Sequence, residues 1–446
     1  MHVNFRFIDN LRCKDQYILL VIPIFFIAIE LWVRNQGGAN WLWFNLDPDY
    51  FYLIDALNIL NFTTPGHVYH PGTTVQLLAA FIIKIAHPAD SSELITNLVL
   101  ADPEKYLQLI SFVLILLNGC ALWCAGIIGR NVFGNLTFAG LLQLAPFISM
   151  VVIKHSYHAK PEALLVFGTL ILTMLAVKSL TPGLIVQSRL YFVIAFGIVA
   201  GFGLATKVTA FPIYLLPFFI LGQGKGLLGW VKVVLLYGFF TLVALLLFTL
   251  PALSAYDIFI SWIVKLYQGS GAYGGGAHEK GLDLIVYASN VLKLFKRPAF
   301  HIVFLFGIAT LALTFWHCIR KNNSFGSDAW LLLGVLISQL AQVMLVAKQP
   351  NAMYLIPTFI LIPLAFILAW RLGQKFFPKN SSLVLVMLFS ALVISQGSAV
   401  YRLGQDQAKK SKSANSINMN IFKSCARIYS YSASSPSYAL MLADFV

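Results

Sequence analysis

LQLISFVLILLNGCALWCAGII, residues Leu107–Ile128, carries no charged side chain. At about 1.5 Å of rise per residue, a helix of this length crosses a hydrocarbon layer ~30 Å thick. Comparable runs lie at Tyr17–Val33, Val132–Ile153, Ala163–Val177, Leu190–Ala205, Val208–Leu221, Leu227–Leu250, Ile302–Cys318, Ala329–Ala347, Ala352–Trp370 and Leu383–Val400. They predict about eleven transmembrane helices. The composition agrees: of 446 residues, 59% are hydrophobic and 11% charged, with a mean hydropathy of +0.79. Soluble chains carry roughly a quarter charged residues, so this apolar excess does not fit inside one globular core. No alternating strand pattern of barrel type is present, and backbone in lipid must satisfy its own hydrogen bonds, which leaves helices. The fold class expected is an all-α polytopic membrane protein.

The net charge of +14 does not point to nucleic acid, because no basic run is interleaved with aromatics. In a membrane protein it reflects positive-inside loops and then any anionic ligand. With the N-terminus cytoplasmic, Arg6, Arg12, Lys14, Arg130, Lys178, Arg189, Lys225, Arg320, Lys321, Arg371, Lys375 and Lys379 fall inside. The short outer loops then hold Lys154, Lys160, Lys207 and Lys348. The basic N-terminal stretch before Tyr17 imitates a signal peptide, but no small-residue cleavage site follows, so a retained first helix is expected. The five cysteines are scattered and odd in number, which indicates neither a disulfide framework nor a zinc site.

This reading gives one transmembrane domain over 1–400 and a short, Ser-rich, basic extracytoplasmic tail over 401–446, expected to be partly disordered. A long first extracytoplasmic loop spans 34–106, and a second spans 251–301. Within the first, Thr73–Ile85 is apolar but too short to cross, and reads as a helix lying on the interface. Within the second, Tyr256–Tyr267 and Leu282–Phe295 are amphipathic and flank the Gly-rich stretch Gly269–Gly276. His278 and Glu279 beside it suit either a mobile lid or a plain linker. No internal repeat is visible.

The first loop holds the polar residues of most interest. Asn45-Leu46-Asp47-Pro48-Asp49-Tyr50-Phe51-Tyr52 leads to Thr63-Thr64-Pro65-Gly66, and then to Tyr69-His70-Pro71-Gly72-Thr73-Thr74. Carboxylates near a membrane face are costly unless paired, solvated or functional. Asp47 or Asp49 suits a general base that deprotonates a hydroxyl; Asp-Pro-Asp is equally good turn chemistry. His67 and His70 suit phosphate or metal binding, or simple hydrogen bonding, and the same holds for His155 and His158 near Glu162. His87, Asp90, Glu93, Asp102 and Glu104 read as solvated loop charges, and Glu30 as substrate-facing or interfacial.

This order of features resembles the first extracytoplasmic loop of GT-C glycosyltransferases, closest to the branch of protein O-mannosyltransferases and lipid A aminoarabinose transferases. Asp49, Tyr52, Ala56, Gly66 and His70-Pro71 follow the family's order; Tyr50 stands where a second acid is usual, and Gly72 where a second proline is. Gly201-Phe202-Gly203-Leu204-Ala205-Thr206-Lys207 is similar to its Gly-rich helix ending in Thr-Lys. Lys348-Gln349-Pro350 with Tyr354-Leu355-Ile356-Pro357 is similar to its late loop, without the usual arginine. Lys160-Pro161-Glu162 occupies the place of its acidic residue after the third helix.

The resemblance implies an inverting transfer from a polyprenyl-phosphate sugar donor to a lipid, protein or polysaccharide acceptor. Asp49 would be the base, with Asp47 second. Lys207, Lys348 and Lys160, with Lys154 behind them, would hold the departing phosphate by charge-assisted hydrogen bonds; snorkelling at a helix end explains the same lysines without function. Tyr52, His67, His70, Glu162 and Tyr354 would line the sugar and acceptor pocket. No particular cofactor is implied, and a divalent metal is left open. The expected setting is a bacterial plasma membrane with an extracytoplasmic site. Rival expectations are a lipid-linked-sugar polymerase or ligase, or a flippase or transporter.

Overall fold

The computed structural model describes residues 13–42, 49–69, 71–268, 283–374, 376, 381–416 and 439–440. They are almost entirely helical, and no strand occurs among them. The helices that organise the chain are α1 (Val21–Gly37), α2 (Asp49–Leu60), α3 (Thr73–Ala86), α4 (Pro103–Phe133), α5 (Pro161–Lys178), α6 (Arg189–Thr206), α7 (Leu227–Phe248), α8 (Pro298–Lys321), α9 (Ser327–Val346), α10 (Ile362–Gly373) and α11 (Ser381–Asn415).

Among the described residues, seven helices are long and apolar enough to cross a membrane, or eight if a bent pair counts as one span. The chain is therefore a multi-pass helical membrane protein. Of the eleven runs, Leu383–Val400 falls in α11, which is not among the seven, and the rest of the difference comes from runs that are apolar but broken. Val132–Ile153 is interrupted by Gly134, left-handed at φ 64°, and continues as Leu136–Gln143, a 3-10 turn at Ala145–Ile148, and Met150–His155. Asn135 and Ser149 cap the new starts with their side chains, as short polar residues do at helix N-termini. Val208–Leu221 is a 3-10 stretch followed by Leu216–Leu221, with Pro212 and Pro217 removing backbone donors. Ala352–Trp370 bends by 41° between Ala352–Ile360 and Ile362–Gly373.

Thr73–Ile85 forms α3, a shorter apolar helix, as expected. Tyr256–Gln268 and Leu284–Phe295 form the two amphipathic helices. The Gly-rich stretch with His278 and Glu279 lies outside the described residues. Of the tail over 401–446, the described residues include the C-terminal part of α11. α11 runs unbroken from Ser381 to Asn415 and lies along α1. Trp32 stacks on Tyr401 at 6.2 Å, and a Cβ on Gly404 would sit 2.2 Å from the Trp32 ring.

Among the described residues, two large apolar cores result, beside a small cluster of Val68, Ala252 and Ala255. The larger joins the long helices, and the smaller packs α2 and α3 against α4 and the start of α5. α6 meets α7 through Gly197 and Gly201, one turn apart. A Cβ on Gly201 would lie 2.5 Å from the Ala244 Cβ and 2.6 Å from the Leu245 amide nitrogen. Small residues at this spacing let two backbones approach within lipid, where no hydrophobic force drives helices together.

Candidate functional site

α2 begins at Asp49, and its side chain is buried together with Tyr50, Phe51 and Tyr52. The Asp49 carboxylate lies 2.7 Å from Nδ1 of His158. His158 is buried, stacks on Tyr157 at 4.3 Å, and stands on the linker between Met150–His155 and α5. Burial pushes its pKa down; the Asp49 charge opposes this, and Lys160 and Arg34 reinforce it. A neutral imidazole then donates its Nδ1 proton to Asp49, the arrangement that fixes a histidine's tautomer and leaves Nε2 as the acceptor.

Four residues on, at the first turn of α5, Glu162 accepts a hydrogen bond from the Lys207 ammonium at 2.6 Å. Both are 1% exposed. Lys207 also sits 4.9 Å from the centre of the Tyr354 ring, within range of a cation–π contact. Its backbone pairs with Pro71 in an isolated antiparallel bridge, and the Thr206 hydroxyl is 2.8 Å from that of Thr74. Thr206 donates to the Phe202 carbonyl, so Thr74 supplies the proton in that contact. The end of α6 is thereby tied to the start of α3.

Lys160 lies between the two pairs and is 1% exposed. Lys154 is close enough to Lys160 and Lys410 that their charges add to burial in lowering its pKa. The His155 pKa is pushed well down by burial and by Lys160, His158, Lys154 and Lys207. Cations therefore concentrate around the linker from Lys154 to Glu162.

The remaining expected residues divide. Tyr354 joins Lys207, as stated. Tyr52 and His67 pack together with ring centres 5.5 Å apart, and Phe51 and Tyr69 flank the imidazole. Gly72, at φ 72°, passes so close that a Cβ would lie 2.8 Å from the Tyr52 ring. Lys348 donates to the Leu266 carbonyl at 2.6 Å, near the end of Tyr256–Gln268. Asp47 and His70 lie outside the described residues. Among the described residues, no group of three or more His, Cys, Asp or Glu is arranged to hold a metal ion.

Other buried polar residues surround these groups. Asp55 is fully buried, and its carboxylate accepts from the amides of Gly66 (2.8 Å) and His67 (3.1 Å) and from the Gln76 side chain (2.8 Å). Burial raises its pKa to about 6, against the lowering effect of His67 and these hydrogen bonds. It holds the Pro65–Tyr69 segment against α2. Its signal was an acid inside the apolar run of α2. Glu104, expected to be solvated, accepts from the Asn40 amide at 2.9 Å and from the Tyr50 hydroxyl. Gln407 of α11 donates to the Tyr157 hydroxyl at 3.2 Å, and Ser156 donates to Glu30, which is fully buried.

No family model, curated protein or solved structure matches this chain.

Proposed function

We propose that the chain is a GT-C-type glycosyltransferase that moves a sugar from a polyprenyl-phosphate donor to a hydroxyl or amine acceptor with inversion. One observation carries this reading. The five-residue segment from His158 to Glu162 binds Asp49 at one end and Lys207 at the other. Four peptide units reach at most ~14 Å, so a base and a phosphate-binding cation share one locale.

In this reading the acceptor oxygen attacks the anomeric carbon as the bond from that carbon to the phosphate oxygen breaks. The acceptor proton passes to the Asp49–His158 pair, whose hydrogen bond at 2.7 Å joins the two groups. The polyprenyl phosphate leaves with the electron pair, and its charge is met by Lys207 and Lys160. Glu162 holds the Lys207 ammonium aimed until the donor phosphate competes for it. Lys348, engaged with Leu266, is secondary. Tyr52, His67 and Tyr354 shape the sugar side. The topology proposed is N-terminus inside, site outside, in a bacterial plasma membrane.

Proteoliposomes supplied with radiolabelled polyprenyl-phosphate sugars test the proposal. Covalent product is expected, and Asp49→Asn lowers its rate by at least about 100-fold, the usual contribution of a general base. Lipid translocation with no covalent product would establish the flippase reading instead.

A further inference from the structure

At the end of α6 remote from Lys207, the Arg189 guanidinium donates to the carbonyls of Leu221 and Gln223, both at 3.0 Å. α6 has eighteen residues, so this end lies about 27 Å from the Asp49–Lys207 locale. A cavity of about 620 Å³ opens here, within the size range of lipid and small-molecule sites. Its walls are Leu215, Phe218, Phe219, Trp230, Trp330 and Ile337, and Lys225 stands at its polar edge with Gln223 and Gly224.

Three features define what fits. First, the cavity is deep and apolar: Ile337 lies ten residues into α9, about 15 Å along its axis. Second, its walls are built. The Trp230 indole donates to the Phe218 carbonyl at 3.0 Å, and a Cβ on Gly222 would lie 2.0 Å from the indole. A Cβ on Gly334 would meet Phe219 at 2.9 Å, so α9 and Leu216–Leu221 are in tight contact beside the cavity. Third, it opens beside α7, whose Leu227, Leu235 and Phe239 are exposed on a helix long and apolar enough to cross a membrane. The rim is cationic: Lys225 is exposed, Arg189 is adjacent, and the nearby Asp328 is neutralised by Arg371 at 2.8 Å.

The geometry points to a binding site for an anionic glycerophospholipid, one acyl chain in the aromatic cavity and the headgroup phosphate at Lys225. A lipid from the surrounding leaflet reaches it without leaving the membrane. A cation near the bilayer surface favours an anionic headgroup by about fivefold. The site is independent of the transfer reaction.

Tryptophan quenching in vesicles of the full chain tests it, using phosphatidylglycerol or phosphatidylcholine with brominated acyl chains. The chain has nine tryptophans, so the signal of the site is the difference between wild type and a Trp230→Phe/Trp330→Phe variant. Brominated phosphatidylglycerol is expected to quench this component well above its mole fraction in the bilayer. Lys225→Gln, a change in an exposed turn that leaves every tryptophan in place, is expected to lower that preference about fivefold. Equal quenching by the two brominated lipids overturns the inference. So does a preference that survives Lys225→Gln, or one that persists in full without Trp230 and Trp330.

Discussion

Removing one partner of the Lys207–Glu162 pair should be among the most damaging single changes in the chain. The ammonium and carboxylate are 2.6 Å apart and each 1% exposed, so neither regains water when the other is lost. Breaking a buried ion pair from one side costs about 3–5 kcal/mol, chiefly because a charge is left uncompensated. Lys207→Met also forfeits the contact with the Tyr354 ring, a further ~1–2 kcal/mol. Glu162→Gln keeps the shape and removes the charge, so it should fall at the lower end of the range. The double variant Lys207→Met/Glu162→Gln buries no unmatched charge and should cost less than the sum of the singles by at least about 2 kcal/mol. Unfolding in detergent, followed by tryptophan fluorescence on all four members of the cycle, measures this directly. Additive singles, each below about 1 kcal/mol, would refute the reasoning, because that is how a water-screened surface pair behaves.

Other outcomes follow from the same geometry. His158→Phe keeps a ring against Tyr157 but removes the partner of Asp49, and transfer should fall by at least about 100-fold with donor binding little changed. Gly72→Ala forces a side chain into a left-handed conformation at φ 72° and into the Tyr52 ring; the backbone strain alone costs about 1–2 kcal/mol, readable as a lowered unfolding midpoint. Burial holds the folded pKa of His158 below the ordinary histidine value of 6.5. As pH falls through 6.5 the unfolded chain takes up a proton that the folded site refuses, so stability should drop on acidification until the folded pKa is reached. A midpoint that is flat below pH 6.5 in wild type would contradict this assignment. Gly201→Leu should separate α6 from α7, with loss of folded protein on size-exclusion chromatography.

The apolar runs made the helical membrane class plain, and the cluster at the end of α6 was visible as Thr206-Lys207 closing a Gly-rich helix. Asp49 was visible as an acid at a helix start. Hydropathy alone hid the breaks: Val132–Ile153 is apolar throughout, yet Gly134 and Ser149 divide it, a matter of caps rather than polarity. Partnerships across long separations were also hidden. Nothing local to Asp49 announces His158, 109 residues away, or shows that Glu104, a loop acid by its sequence, accepts from Asn40 and Tyr50. Asp55 left a sign that periodicity could have caught, an ionisable group on a face otherwise fit for a core.

The docking of α11 along α1 has a consequence for biogenesis. Gln407 reaches Tyr157, and Gln396 accepts from the Met150 amide at 3.2 Å, so late-made residues brace the linker that carries His158. A ribosome that has finished the first ten labelled helices has produced every charged member of the candidate site, yet not the strut that steadies them. Chains interrupted in that interval should insert into the bilayer without that brace, which makes α11 a natural point at which quality control distinguishes braced molecules from unbraced ones.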